Sequence, residues 1–435
     1  MTTHLGNRPG SARANRRHDR DGEPPRAQKQ RRSLTHVGGA VATWGDPDVA
    51  ATLAQALDVR PSSGPAEDSD RAHVHGFHTY PARMHPTTAS RLVRTLSSEG
   101  ATVLDPFCGS GTVLIEAMLH SRRAIGTDLN PLAVRLARLK TTRYADSVLA
   151  SMVSAARSIA IFAEARRIRR AGATRRYPRE DAELFDPHVL LELDSLRAGI
   201  VEQCSSDPLV RDALELVLSA ILIKVSRGAS DTSTSVETRR IAAGFASRLF
   251  ARKADELSLR LAELARRTPV HAALVVTALD NAARLQTIAA STVDVIVTSP
   301  PYAGTYDYLS HHAVRMRWLG LDAGKLASGE IGARRNYERL DARSAREAWA
   351  QELGRALRAM RRVCRRGARV VLLLADSAVG EQAIRADAVL GAIAPDAGFA
   401  VLARASQARP HFHGPSSAAF RDGHRAEHAI LLEKR

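Results

Sequence analysis

The chain has 435 residues, 44% of them hydrophobic, and carries a formal net charge of +17, which excludes fibrous and wholly disordered classes and favours a polyanionic partner, DNA or RNA. Its three cysteines, Cys108, Cys204 and Cys364, lack zinc-knuckle or disulfide-framework spacing, so a reducing, cytoplasmic setting is expected. The first residues lack an apolar signal core and no run approaches the ~20 apolar residues that cross a bilayer, so a soluble protein without a membrane partner is predicted.

Residues 1–35 mix arginine and lysine with Pro, Gly, Gln and Asn; they cannot offset their ordering entropy by burial and are predicted to be a disordered basic tail. A short helix is predicted near Val49 to Leu57, and Pro61 to Asp70 reads as a linker. The segment His75 to Pro86 opens the next unit, followed by a helix with apolar positions Ala89, Leu92, Val93 and Leu96. A strand at Val103-Leu-Asp, a loop Asp105-Pro-Phe-Cys-Gly-Ser-Gly-Thr112, a helix from Val113 to His120, and a strand Ala124-Ile-Gly-Thr-Asp128 come next. Asn130-Pro131 then opens another helix. Strand, glycine loop, helix, strand and acid in that order are the opening of a Rossmann-like nucleotide site.

From Ser147 to Arg267 apolar residues recur at helical spacing. Strands resume at Leu274–Leu279, Val293–Thr298, Arg369–Ala375, Phe399–Ala403 and His428–Leu432. The expected fold is therefore α/β, a mostly parallel doubly wound sheet. It is divided into a cofactor-binding half at 36–146, a helical insertion at 147–267 and a catalytic half at 268–435.

Gly109 and Gly111 let backbone approach a ligand where a Cβ would collide, and Asp128 is placed to accept both hydroxyls of a ribose. Asp105, at a strand end, would repel a pyrophosphate but attract a cationic amino-acid group. The second strand of interest ends in Ser299-Pro300-Pro301-Tyr302. Paired prolines stop strand pairing and hold a carbonyl, a hydroxyl and an aromatic ring at the carboxyl edge, where open α/β sheets bind ligands. Such a site suits a flat base bearing an amino group. Histidines 73, 75, 78 and 85 fit no common zinc spacing, so no metal is expected, and His411-Phe-His413 reads as a turn.

Ser299 to Tyr302 together with Asp105 to Thr112 resembles the signature of S-adenosylmethionine-dependent amino-methyltransferases, the N4-cytosine and N6-adenine DNA methyltransferase family. The likeness continues through Tyr306-Asp-Tyr-Leu, His311 to Gly320 and Glu330 to Arg335, and covers about half of the chain. It implies a class I methyltransferase fold with S-adenosylmethionine as cofactor. Asp105, Phe107, Gly109 and Gly111 would line its methionine and ribose side, Asp128 would hold the ribose, Asp280 would reach the adenine amino group, and Tyr80 and Pro81 would pack on it.

Ser299 Oγ and the Pro300 carbonyl would accept the two hydrogens of the target amine, with Tyr302 stacked on a flipped base. Serine at the first position favours cytosine N4 over adenine N6. A C5-cytosine enzyme needs a Pro-Cys nucleophile, and none of the three cysteines follows a proline. The glycine loop precedes Ser-Pro-Pro-Tyr, whereas many N4-cytosine enzymes are permuted the other way. Lys224, Arg227, Arg334 and Arg335 are candidate phosphate contacts in polar segments. The polymer is read as DNA, with structured RNA as the alternative and a restriction-modification or defence partner admitted. A non-catalytic nucleic-acid-binding protein on the same fold is the reading from another class.

Overall fold

A computed structural model describes residues 1–2, 38–59, 71–228, 240–409, 414–421 and 423–435. The predicted basic tail, the linker at 61–70, part of the Lys224 to Thr234 stretch and His411 to His413 lie outside the described residues, apart from residues 1 and 2. The strands are β1 (Val41–Gly45), β2 (Thr102–Asp105), β3 (Arg123–Asp128), β4 (Val276–Leu279), β5 (Val293–Thr298), β6 (Cys364–Ala375), β7 (Ser377–Val379), β8 (Gln382–Ile384), β9 (Phe399–Ala408) and β10 (Ala426–Lys434).

Eight of them form one sheet in the order β1-β9-β10-β6-β5-β2-β3-β4. The run β4-β3-β2-β5-β6 is parallel, and the pairs β6–β10, β10–β9 and β9–β1 are antiparallel. Chain order reverses between β2 and β5, so the carboxyl ends of these two strands flank the crevice in which such sheets bind ligands. The α/β, mostly parallel fold is as the sequence predicts. β1, which pairs Val41 to Gly45 with Ala403 to Gln407, and the β7–β8 hairpin are additions.

Alternation along the strands explains why both faces are covered. Val293, Ile296, Val370, Leu372 and Leu374 enter one apolar cluster; Val295, Val297, Val371 and Leu373 enter the other. On the first face pack the long helix Ala342–Val363 and the short helix Ala386–Ile393; on the second pack α1 (Pro47–Leu57), α2 (Pro86–Leu96) and α3 (Thr112–Leu119). A strand buried on both faces reads as a continuous apolar run, as Val370 to Leu374 does.

Among the described residues after α4 (Pro131–Thr141), the elements up to residue 267 are helices: α5 (Asp146–Ile168), α6 (Arg179–Leu184), α7 (Pro187–Gln203), α8 (Pro208–Leu222), a 3-10 turn at Ile223–Val225, and α9 (Phe245–Arg267). Their apolar faces share a third cluster with Leu132, Leu136 and Leu139 of α4 and with Val74 and Phe77. The helix α5, rich in Ala, Ile and Val, is long and apolar enough by length and composition to cross a membrane, which corrects the expectation that no such run exists. It buries Leu149, Met152, Ala156, Ile159 and Ala163 against α7 and α9, while Ile161 and Ile168 on its other side are exposed.

The remaining helices are α10 (Tyr308–Leu319), α11 (Gly324–Gly329), α12 (Arg334–Tyr337), α13 (Ala342–Val363) and α14 (Ala386–Ile393). Leu104, fully buried on β2 between β3 and β5, stands at the switch point. Leu104→Ala is expected to lower stability by about 2–5 kcal/mol, read as a drop in the denaturant midpoint with little change in slope.

Candidate active site

The glycine loop follows β2 because Gly109 (φ +49°) and Gly111 (φ +89°) take left-handed conformations. A Cβ on Gly109 would lie 3.2 Å from the Tyr80 ring, and one on Gly111 3.1 Å from Ala137 Cα on α4. Gly111 caps α3, and the Gly111 amide donates to the Cys108 carbonyl at 2.8 Å. Asp128, ending β3, closes this loop from the side. Its Oδ2 accepts from the Gly109 amide (2.9 Å) and its Oδ1 from the Asn130 amide (2.8 Å), so each oxygen keeps a lone pair for a further donor.

Asp105 reaches across the switch point: its Oδ1 accepts from Thr298 Oγ1 on β5 (2.6 Å) and from the Phe107 amide (3.1 Å). Burial pushes its pKa up from 3.8 to about 7, against the pull of those two hydrogen bonds. Burial likewise raises Asp128 from 3.8 to about 6. A carboxylate desolvated in this way is paid back by an incoming cation or hydroxyl donor.

These groups line one cleft at the carboxyl edge of the sheet. The structure brings Tyr80, Asp105, Phe107, Gly109, Asp128, Ser299 and Pro301 together in its wall. Pro81, Gly111, Pro300, Tyr302 and Asp280 are not in that wall. Asp280 is the plainest departure: its Oδ1 accepts from the Asn281 amide and its Oδ2 from the Thr287 amide and hydroxyl, each at 2.7 Å. An acid at the start of a tight loop is used up by the loop's own donors, and Asn281 and Ala282 take the wall position instead.

Sequence reasoning also missed Asn130, Thr298, Tyr308 and the segment Leu326 to Ile331. Asn130 caps α4 by accepting from the Leu132 amide at 3.0 Å and donates to Tyr80 Oη at 3.3 Å. Tyr80 stacks on His312 at 4.8 Å between ring centroids. Glu330 roofs the cleft, its carboxylate accepting from the Tyr308 amide and Arg335, each at 2.7 Å. The Asn130-Pro131 helix start was a readable signal for Asn130, and Glu330 lies in the stretch of family likeness that runs to Arg335; Thr298 carried none.

Ser299 to Tyr302 is braced from behind by α13. Trp349 Nε1 donates to the Pro301 carbonyl at 3.1 Å. Glu352 Oε2 accepts from the Gly332 amide (2.9 Å) and from Tyr337 Oη (2.8 Å). Gly332 (φ +66°) lies so close that a Cβ there would sit 2.7 Å from the Tyr302 carbonyl oxygen. Burial raises the Tyr302 phenol above its ordinary value, opposed in part by a hydrogen bond with Ser299, so Tyr302 stays neutral.

The four expected phosphate contacts fall in two stretches, at 224–227 and 334–335. Arg335 pairs within the protein with Asp307 (2.8 Å) and Glu330 (2.7 Å). Arg227 pairs with Asp186 at 2.7 Å. Arg334 is exposed and donates to the Thr305 carbonyl at 2.6 Å, and Lys224 is exposed.

Residues 29–139 match the DNA methylase family of N6 and N4 methyltransferases. Over 84 residues, 19% of this chain and 18% of the relative, the sequence is 38% identical to the type II methyltransferase M.MvaI of Kocuria varians. Over 79 residues, 18% of this chain and 15% of the relative, it is 32% identical to the type II methyltransferase M.MjaII of Methanocaldococcus jannaschii. The match thus spans under a fifth of these relatives' length. A solved structure, TrmN from Thermus thermophilus, aligns with 81% of this chain and 49% of its own at 13% identity and a TM-score of 0.32, a likeness too low to bear on function. The sequence matches support the N4/N6 DNA methyltransferase family.

The raised carboxyl values carry a pH dependence. A folded pKa above the unfolded one means that the folded state holds more protons, so this contribution is complete below about pH 4 and is lost as pH rises through about 7 for Asp105 and about 6 for Asp128. Asp105→Asn is expected to flatten the fall in stability of the ligand-free protein between pH 4 and 7. At pH 8 it should raise that stability, on the order of a few kcal/mol, while abolishing cofactor affinity; denaturant midpoints across pH and calorimetric titration read the two effects.

Proposed function

We propose that this chain, an amino-methyltransferase of the N4/N6 family, methylates an exocyclic amino group of a DNA base, with cytosine N4 as the target. The observation that carries the reading is the single cleft at the β2/β5 switch point, which holds Asp105, Gly109 and Asp128 from one half of the sheet beside Ser299 and Pro301 from the other.

The residues present fit S-adenosylmethionine. Asp105 meets its cationic amino group, Asp128 its ribose hydroxyls, and the Gly109 loop leaves room for backbone contact, while Asn281 and Ala282 stand where the adenine would lie. Tyr80, with Ala82, Arg83 and Met84, covers the cleft from the 77–86 strap. When bound, the cofactor supplies a sulfonium methyl whose S–C bond breaks as the amine nitrogen bonds carbon, leaving a thioether and a proton that passes to solvent.

The protein's part is orientation. Ser299 Oγ and the Pro300 carbonyl accept the two N–H groups of the amine, turning its lone pair out of conjugation with the ring and toward the cleft. Tyr302, neutral and half-buried, offers a ring face to the flipped base, whose extrusion costs roughly a few kcal/mol. Lys224 and Arg334, both exposed, and the helical block from 147 to 267 are the proposed surfaces for the phosphate backbone. Adenine N6 is the neighbouring assignment under the same mechanism. The net charge of +17 supports a polyanionic substrate.

Transfer of radiolabelled methyl to duplex DNA, followed by nucleoside mass spectrometry, tests this. N4-methylcytosine is the expected product, and Ser299→Ala is expected to lower kcat by roughly 10²–10³ with little effect on cofactor affinity. N6-methyladenine would move the target; labelled RNA with unlabelled DNA, or no product at all, would overturn the reading.

A further inference from the structure

We propose that His73, His75 and Glu116 form a binding site for a divalent transition metal of the zinc class, which ties the turn leading into the 77–86 strap to the helix that starts at the glycine loop. His73 and His75 belong to a 3-10 turn, His73–Gly76, and Glu116 to α3. One ligand atom from each lies within 4.8 Å of the other two, and all three residues are buried, at 4%, 1% and 6% exposure. Nothing in the family reading above uses any of them.

The donor set is that of a metal centre. Two imidazoles and a carboxylate suit zinc, cobalt and nickel, and three protein ligands leave one position for water or for the second carboxylate oxygen. His75 Nε2 and Glu116 Oε1 are 2.9 Å apart. In a tetrahedral site with bonds of about 2.0–2.1 Å, donors stand roughly 3.3 Å apart, so this pair opens by a few tenths of an ångström while the His73 ring closes in. The Nδ1 atom of His73 is buried and makes no hydrogen bond among the described residues, a cost that a histidine in a merely structural pocket would avoid.

The surroundings hold the ligands in place as an outer shell does. Arg260 donates to the carbonyls of Arg71 and His73, fixing the backbone that carries the first histidine. The His73 and His75 rings lie 4.7 Å apart, inclined by 46°, so their nitrogens converge rather than stack. Ser90 hydrogen-bonds Glu116 and also His120 Nε2, the latter at 2.7 Å, which orients the carboxylate. A second group of potential ligands, Asp376, Asp387 and His428, is instead filled by protein donors: Asp376 accepts from Arg385, Ala386, Ala426 and His428.

The test uses the full chain without an affinity tag, stripped with chelator and titrated with Zn²⁺ alone and Co²⁺ alone. One equivalent of zinc that survives gel filtration, a visible cobalt absorption of four-coordinate strength and a raised melting temperature are expected. His73→Ala and Glu116→Gln should each weaken metal affinity by at least 100-fold, whereas Asp387→Asn should leave it unchanged. Failure of the unsubstituted chain to retain zinc, or retention that survives both His73→Ala and Glu116→Gln, would overturn the site. The readout is metal content and spectrum, so it stands or falls apart from any methyl transfer.

Discussion

The hydrogen bond from Thr298 Oγ1 to Asp105 Oδ1, 2.6 Å long and spanning 193 residues of chain, is the constraint on which the site depends. It fastens the carboxyl ends of β2 and β5 to each other at the point where the chain order of the parallel strands reverses. Each strand delivers a different half of the chemistry: β2 the glycine loop, β5 the Ser-Pro-Pro-Tyr corner. In the proposed reaction a cofactor and a base would have to meet with atoms placed to a fraction of an ångström, and loops alone do not give that precision. A short buried bond between two strand ends does, because both strands are held along their length by neighbours and by apolar side chains on both faces.

That bond has a cost, which the site uses. Taking Asp105 out of water is unfavourable, and the two donors offset only part of the penalty. Asp128, also desolvated, is held by the amides of Gly109 and Asn130. The loop is thus shaped by the carboxylates that would read the cofactor. Two acids with raised pKa values facing one cleft are easier to explain as a receptor for a cation and a diol than as scaffold.

Much of this was legible in the sequence. The continuous apolar run of Val370 to Leu374, the apolar residues before Asp105 and the Asp128 strand end made the sheet readable, because burial on both faces leaves strands apolar throughout. The glycine loop and Ser299 to Tyr302 were legible because special backbone conformations demand special residues. What failed was reading where a side chain spends its hydrogen bonds. Asp280 and Arg335 looked like ligand contacts, but each is satisfied by its own neighbourhood, and no residue-by-residue pattern encodes that. Thr298 was silent for the same reason, since a threonine at the end of a β-branched strand looks like strand. The meeting of His73 and His75 with Glu116 depends on the packing of the turn leading into the strap against α3, a long-range fact that spacing along the chain does not carry.

Trp349 and Glu352 sit three residues apart on one helix, and both grip main chain, directly at Pro301 and through Gly332 behind Tyr302. Neither touches the Ser299 side chain. The main chain of the corner is thus held from behind by one helix, and the Ser299 side chain adds its own tie to Tyr302. The backbone of the corner would therefore tolerate a change of residue at 299 better than a change at 349 or 352.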